Sequence, residues 1–370
     1  MKGKALIRRR LSGFCVNVTM AGLLVAVPMP VIGQTRSHLS SQKLAQAERR
    51  EPVTVNGTLD SNSQIREDDN TYFKVHTFEG RAGEQITIDM TSTELDTYLF
   101  LLDPDRKKIA EDYDSGEGSN ARIIVTLPNN GTYQVIANAY KISAPGKYTL
   151  SWRGTTPDDL ELAEAERLNQ QVNELYNQGQ YATAIPLAER ALEIRKRILG
   201  ENHLDVVTSL NNLASLYSSQ GRYSKAEPLY RQALEMRKRL LGENHPDVAT
   251  SLNNLAELYD SEGRYSKAEP LYRQALEIRK RLLGENHPDV ATSLNNLASL
   301  YDSQGRYSEA EPLYRQALEM RERLLGENHP SVATSLNNLA LLYDSQGRYS
   351  EAEPLYRQAL EMRKRLLGEN

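Results

Sequence analysis

The feature that most constrains this chain is a repeat with a period of 42 residues. SLNNLA starts at 209, 251, 293 and 335, GRYS at 221, 263, 305 and 347, and GENH at 200, 242, 284 and 326. A degenerate earlier unit keeps Gly179, Ala184 and Ala191 in phase. A fixed period of this length means a solenoid, in which each unit buries its apolar face only against its neighbours. Two helices are written into each unit. Leu210, Leu213, Ala214 and Tyr217 share one face by their spacings of three and four. Ala226, Leu229, Tyr230, Ala233 and Leu234 form the stripe of the second helix. Pro246, Pro288 and Pro330 stand where a first helical residue belongs. Ser224 with Glu227, repeated at Ser266/Glu269, Ser308/Glu311 and Ser350/Glu353, reads as a capping box that places Pro228 in the first turn. Gly242 ends the second helix.

These motifs resemble the tetratricopeptide repeat, and the 42-residue length with its GENHP loop resembles the kinesin-light-chain variety. The resemblance covers 158–370 as five units, the first degenerate and the last lacking a following cap. It implies a right-handed superhelix whose inner groove holds an extended peptide of a protein partner. The uncapped last unit suggests self-association.

Residues 52–153 follow a different period. Val53 and Val55 open a series of alternating apolar residues, continued by Ile86, Ile88 and Met90, by Ile123, Val125 and Leu127, by Tyr133, Val135 and Ala137, and by Tyr148, Leu150 and Trp152. About eight short strands separated by turn residues predict a sandwich or barrel. LDTYLFLLDPD (95–105), EDYDSGEGSNARI (111–123), LPNNGTYQVIA (127–137) and GKYTLSW (146–152) resemble the bacterial pre-peptidase C-terminal domain. That resemblance implies a jelly-roll-like, non-catalytic sandwich that binds proteins or matrix. The expected fold class is therefore an all-β sandwich followed by an all-α solenoid. Only Arg153 to Pro157 joins the two, so they are expected to unfold separately. Two acidic clusters, Glu67, Asp68, Asp69 and Asn70, and Glu111, Asp112, Asp114 and Glu117, lack the EF-hand spacing. They read as solvated turns rather than calcium loops.

The N-terminus has Lys2, Lys4, Arg8, Arg9 and Arg10, then an apolar run from about Phe14 to Val27, then Val31-Ile32-Gly33. This is the order of a signal peptide, 1–33, cleaved before Gln34, with 34–51 as a linker. The run is too short and too interrupted to span a membrane. The expected location is secreted, periplasmic or envelope-associated in a bacterium, with no stable membrane insertion after cleavage. Cys15 is the only cysteine, so the mature chain has no thiol chemistry. Lys and Arg total 45 against 49 Asp and Glu, which gives no electrostatic case for nucleic acid. No Ser/His/Asp constellation, metal spacing or phosphate loop is present. The expectation is a non-enzyme without cofactor or metal.

Three repeated features are candidates for binding. His203, His245, His287 and His329 occur once per unit and are too widely spaced to share a metal, so they read as loop-shaping residues. The Arg-Lys-Arg runs at 195–197, 237–239, 279–281 and 363–365 offer an anionic-ligand stripe. They equally suit a solvated helix end with Glu227/Arg231 and Glu235/Arg239 pairs, and that plainer role is preferred. The Asn pairs are sharper, because Asn disfavours helix interiors. Asn211, Asn253, Asn295 and Asn337 fall on the arc opposite the apolar face, which by resemblance lines the groove. An amide there both donates to and accepts from a peptide backbone. Ser215, Glu257, Ser299 and Leu341 vary four residues later and are expected to set selectivity, with Asp260, Asp302 and Asp344 beside them. One Asn of each pair is open to a second reading, as a tie to the neighbouring helix. The alternative function is an adhesin-like module whose sandwich binds matrix or glycan while the repeats act as spacer.

Overall fold

The computed structural model describes residues 50–66, 70–113, 120–139 and 145–367. The signal peptide, nearly all of the linker, and the acids Glu67, Asp68, Asp69, Asp114 and Glu117 lie outside the described residues.

Among the described residues nine strands form two antiparallel sheets. They are β1 (Val53–Leu59), β2 (Gln64–Ile65), β3 (Tyr72–Gly80), β4 (Gln85–Thr91), β5 (Thr97–Leu102), β6 (Lys108–Asp112), β7 (Ala121–Thr126), β8 (Gly131–Ala139) and β9 (Gly146–Gly154). The sheet orders are β1-β9-β4-β7 and β2-β3-β8-β5-β6. Alternating side chains point between the sheets, and those of Ile86, Ile88, Met90, Tyr133, Val135, Tyr148, Leu150 and Trp152 are buried as the period-two pattern requires. Phe78 stacks on Tyr133 and Trp152, with ring centroids 5.5 and 5.9 Å away. Val53, expected to open the buried series, is instead exposed. It lies on the edge strand β1, which pairs only with β9. Gly57 on β1 faces Tyr148 of β9. A Cβ there would sit 2.2 Å from the phenol ring, so no larger residue fits.

The joint between the two regions is more than the short linker expected. Strand β9 leads into α1 (Pro157–Asn177) through Thr155, whose N–H donates to Gln85 O at 3.0 Å. Thr156 and Asp159 form a true capping box at the start of α1. Both Arg153 guanidinium nitrogens donate to the buried Asp159 carboxylate, one of them at 2.7 Å. Burial alone would raise the Asp159 carboxyl; the bonds from Arg153 and Thr156 outweigh it and hold the group well below the usual carboxylate range.

Among the described residues nine more helices follow, alternating between two layers. First helices of the units are α1, α3 (Leu204–Ser219), α5 (Pro246–Ser261), α7 (Pro288–Ser303) and α9 (Pro330–Ser345). Second helices are α2 (Tyr181–Leu199), α4 (Tyr223–Leu241), α6 (Tyr265–Leu283), α8 (Tyr307–Leu325) and α10 (Tyr349–Leu367). One apolar cluster runs from Val172 through Tyr217, Tyr259, Tyr301 and Tyr343 to Ala352. Ala214, Ala256, Ala298 and Ala340 are fully buried within it, and their small size allows close helix approach. Pro246, Pro288 and Pro330 begin their helices as expected. The recurring His is the N-cap. Nδ1 of His203, His245 and His287 accepts from the N–H of Asp205, Asp247 and Asp289 at 3.2 Å, and His329 from Ser331 at 3.1 Å. An accepting Nδ1 requires the tautomer with its proton on Nε2.

The capping-box expectation for the second helices is wrong. Those helices start one residue earlier than the Ser, with Arg222, Arg264 and Arg306 at the N-cap and no side-chain cap bond. Pro228, Pro270 and Pro312 therefore lie inside the helix rather than in its first turn. Gly221, at φ 71, reverses the chain and delivers Arg222 directly into the helix start, while Glu227 is committed to another unit.

Candidate functional site

The Asn pairs form a ladder along the first-helix layer. Asn212 Nδ2 donates to Asn169 Oδ1 at 2.8 Å, Asn254 to Asn211 at 2.9 Å, Asn296 to Asn253 at 2.8 Å and Asn338 to Asn295 at 3.0 Å. The second Asn of one unit thus ties to the first Asn of the unit before. This corrects the expectation for Asn211, Asn253 and Asn295. Their Oδ1 atoms each already accept one bond, so each offers a ligand chiefly its Nδ2 hydrogens. A helical wheel treats one helix at a time and cannot show a bond spanning 43 residues. Asn169, in the degenerate unit, was missed, although it stands 42 residues before Asn211.

The remaining candidates flank this ladder. Asn253, Glu257 and Asp260 stand at i, i+4 and i+7, one stripe along α5. The equivalent stripes are Asn295, Ser299 and Asp302 on α7, and Asn337, Leu341 and Asp344 on α9. The ladder sets these stripes side by side. Ser215, in contrast, is buried and hydrogen-bonded with Tyr230. It is the one member of the variable row that a ligand cannot readily reach. Leu341 is 37% exposed. Burial first, then the charges of Glu257 and Asp260, push the Tyr272 phenol far up.

The opposite layer is built of ties. Arg195, Arg237, Arg279 and Arg321 each donate to a serine of the following first helix at 2.8 Å: Ser209, Ser251, Ser293 and Ser335. Arg195, Arg279 and Arg321 are buried, so the first arginine of the Arg-Lys-Arg run is neither a solvated residue nor part of an anion stripe. The third arginine also crosses units, with Arg239 on Asn202, Arg281 on Asn244 and Arg323 on Asn286. Glu235, expected on Arg239, lies instead 3.9 Å from Lys238. Glu227 keeps its i,i+4 partner Arg231 but also accepts from Arg264 of the next unit at 2.6 Å and from Tyr259 at 2.9 Å. Glu269 with Arg306 and Tyr301, and Glu311 with Arg348 and Tyr343, repeat the arrangement. The Arg264 bond, with help from Tyr259, pulls the Glu227 carboxyl down to about 2. The missed signal was the recurrence of Glu, Tyr and Arg at fixed separations of 32 and 37 residues.

Among the described residues no group of three His, Cys, Asp or Glu side chains forms a metal site, and no helix is long and apolar enough to cross a membrane.

The ladder and the buried small residues recur along the array, the His cap recurs in each unit after the first, and comparison with known families gives the same grouping. A tetratricopeptide repeat family model matches residues 173–239, 230–281, 262–323 and 309–365. The chain belongs to the tetratricopeptide repeat family. A bacterial pre-peptidase C-terminal domain precedes the repeats, matched over 72–154. The chain is similar to a Podosopora anserina putative kinesin light chain with nearly identical TPR-like repeats, at 26% identity and TM-score 0.47, over 55% of this chain and 95% of that one. It is also similar to BtubC (BKLC) from P. vanneervenii, at 25% identity and TM-score 0.42, over 58% of this chain and 94% of that one. A search of curated proteins finds no match. The tetratricopeptide repeats support a protein–protein interaction scaffold.

Proposed function

We propose that the protein is exported and non-enzymatic, and that its first-helix groove binds an extended peptide segment of a partner. The observation that carries this reading is the ladder. It leaves the Nδ2 groups of Asn211, Asn253, Asn295 and Asn337 to donate, in a row, beside a position that is Ser, Glu, Ser and Leu in successive units. A row of donors suits backbone carbonyls, which any sequence supplies, and the variable row adds choice. The test is selection of peptides from a random library on the full chain, repeated with Leu341→Asp. A changed set of recovered peptides supports the groove; the same set from both proteins refutes it. Export rests on the order of basic, apolar and small residues in 1–33. Protein recovered outside the cytoplasm should begin at Gln34, and an intact Met1 on membrane-bound material would refute cleavage.

Self-association through α10 is part of the same reading, supported by the exposed Tyr349, Leu360 and Leu366. Sedimentation should show an oligomer that Leu360→Lys dissociates. The adhesin-like alternative is supported by one feature of the sandwich, the Arg66 guanidinium lying 5.8 and 5.2 Å from the Tyr98 and Phe100 ring centroids beside the exposed Ile65. Loss of glycan or matrix binding in Tyr98→Ala, with peptide binding intact, would favour that alternative.

A further inference from the structure

The four histidine caps are not equivalent. Each ring holds its helix start through the lone pair on Nδ1, and a proton on that atom removes the acceptor. Imidazole is the side chain that ordinarily changes charge between about pH 5 and 8. The protonated ring would also stand at the positive end of the helix dipole. In three copies a replacement is in place. Nδ1 of His203 lies 3.7 Å from Asp205 Oδ2, and Nδ1 of His245 and of His287 lies 3.8 Å from Oδ2 of Asp247 and of Asp289. A ring that gains a proton there exchanges its cap bond for an ion pair with the same residue. The fourth copy has Ser331 where the others have Asp, so His329 has no such exchange.

The charged groups of the neighbouring elements do not make up for this. From the preceding second helices, Arg237, Arg279 and Arg321 place Nη1 3.4, 3.4 and 3.3 Å from the carbonyls of Asp247, Asp289 and Ser331. That cation is common to these boundaries and disfavours a second positive charge at each. Helix α8 also carries Glu322 where the other units have Lys196, Lys238 and Lys280, and the loop after it carries Glu327. Burial first, then Glu327 and Glu319, raise the Glu322 carboxyl, so it is set among other acids. Neither Glu322 nor Glu327 forms an ion pair with His329 among the described residues, whereas Ser331 is bonded to it directly. We propose that His329 is an acid-released fastening, so that α9 loosens at its start on mild acidification while α3, α5 and α7 hold. The loosened helix carries Asn337 and Leu341. On the groove reading, acid therefore weakens the hold on a peptide at that unit first; the fastening itself does not depend on that reading.

The test is hydrogen exchange on the full chain between about pH 7.5 and about pH 5, corrected for the intrinsic pH dependence of exchange. The readout is the first intrahelical N–H of each helix, at Val207, Ala249, Ala291 and Ala333, which donate to the histidine carbonyls at 3.2, 3.3, 3.2 and 3.4 Å. Protection at Ala333 should fall about 5-fold, the usual effect of losing a cap, while the other three change by less than about 2-fold. Ser331→Asp should bring Ala333 into line with the others. His329→Asn supplies a cap that does not titrate, and should remove the response with an unchanged thermal melt at the higher pH. Glu322→Lys copies the residue of the other units and should leave the response as it is. An equal fall at all four amides, no fall at Ala333, or a response that survives His329→Asn overturns the proposal. A response abolished by Glu322→Lys overturns it too, in favour of the acids of α8. No peptide enters these measurements, so they stand or fall apart from the groove reading.

Discussion

On the second helices, Glu227, Glu269 and Glu311 each bind an arginine of the next unit. On the first helices, one structural position is Ser215, Glu257, Ser299 and Leu341 in successive units, from buried at Ser215 to exposed at Leu341. The units are otherwise near copies, so the contrast is informative. A side chain that must meet a partner 14, 37 or 43 residues away cannot change without breaking a repeat boundary. Ser, Glu and Leu share no bonding chemistry, so no single bond can recur where they stand. Sameness along the array marks the ties, and difference marks the surface left for something else.

The largest expected effect comes from cutting a buried tie. Arg279→Ala removes donors to Ser293 and Thr250 and leaves the buried Ser293 hydroxyl without its arginine. It should cost about 2–3 kcal/mol, read from urea unfolding of the array. Arg279→Lys should recover little, since an ammonium cannot span two helices as the fork does. A loss below about 0.5 kcal/mol would show that the boundary does not need this arginine.

The carboxylate ties come next. Glu227→Gln should cost about 1 kcal/mol at pH 7. The folded carboxyl lies at about 2, below the unfolded value of about 4.3, so its contribution is full above the unfolded value and disappears as pH falls toward 2. The difference between wild type and variant should shrink across that window. Glu353 supplies the control, because it is 65% exposed and its ion pair is with Arg357 of its own helix. Glu353→Gln should change stability by no more than a few tenths of a kcal/mol.

Smaller still is the ladder. Asn295→Ala loses the bond from Asn338, at ~0.5–1.5 kcal/mol, offset by about 0.5 kcal/mol of helix propensity. The net loss should be at most about 1 kcal/mol. Asn337→Ala loses no ladder bond among the described residues, so its stability should hold or rise. Equal losses at the two sites would mean that the ladder does not stabilise the array.

These comparisons also show what was legible in the sequence. The sandwich, the paired helices and the helix-starting prolines follow from periods of 2, 3.6 and 42, each a property of neighbouring residues or of the repeat. Pairings across units were not legible, because identical copies offer many equivalent partners. Glu227 therefore read as a local cap, and Arg279 as a solvated residue. Asp159 was missed for a related reason, since its partner Arg153 lies on the far side of a strand-to-helix joint. The candidate groove was legible as a face, but not which atom of each Asn that face leaves available.

The smallest effect on stability should fall at the position expected to matter most for recognition. Glu257→Ser and Leu341→Ser each copy a residue already found at the same place in another unit, Ser299. Neither touches a ladder bond or a buried arginine, so each should stay within ~0.5 kcal/mol of wild type. Glu257→Ser removes a charge beside Asp260, and so should change the salt dependence of peptide binding. Leu341→Ser removes exposed apolar surface, and so should reduce discrimination among peptides that differ only opposite α9. The two variants should therefore part company, one changing salt dependence and the other changing apolar preference. If both melt about 2 kcal/mol or more below wild type, the variable row is structural after all. Difference between the copies would then reflect compensation inside each unit, not a surface open to a partner.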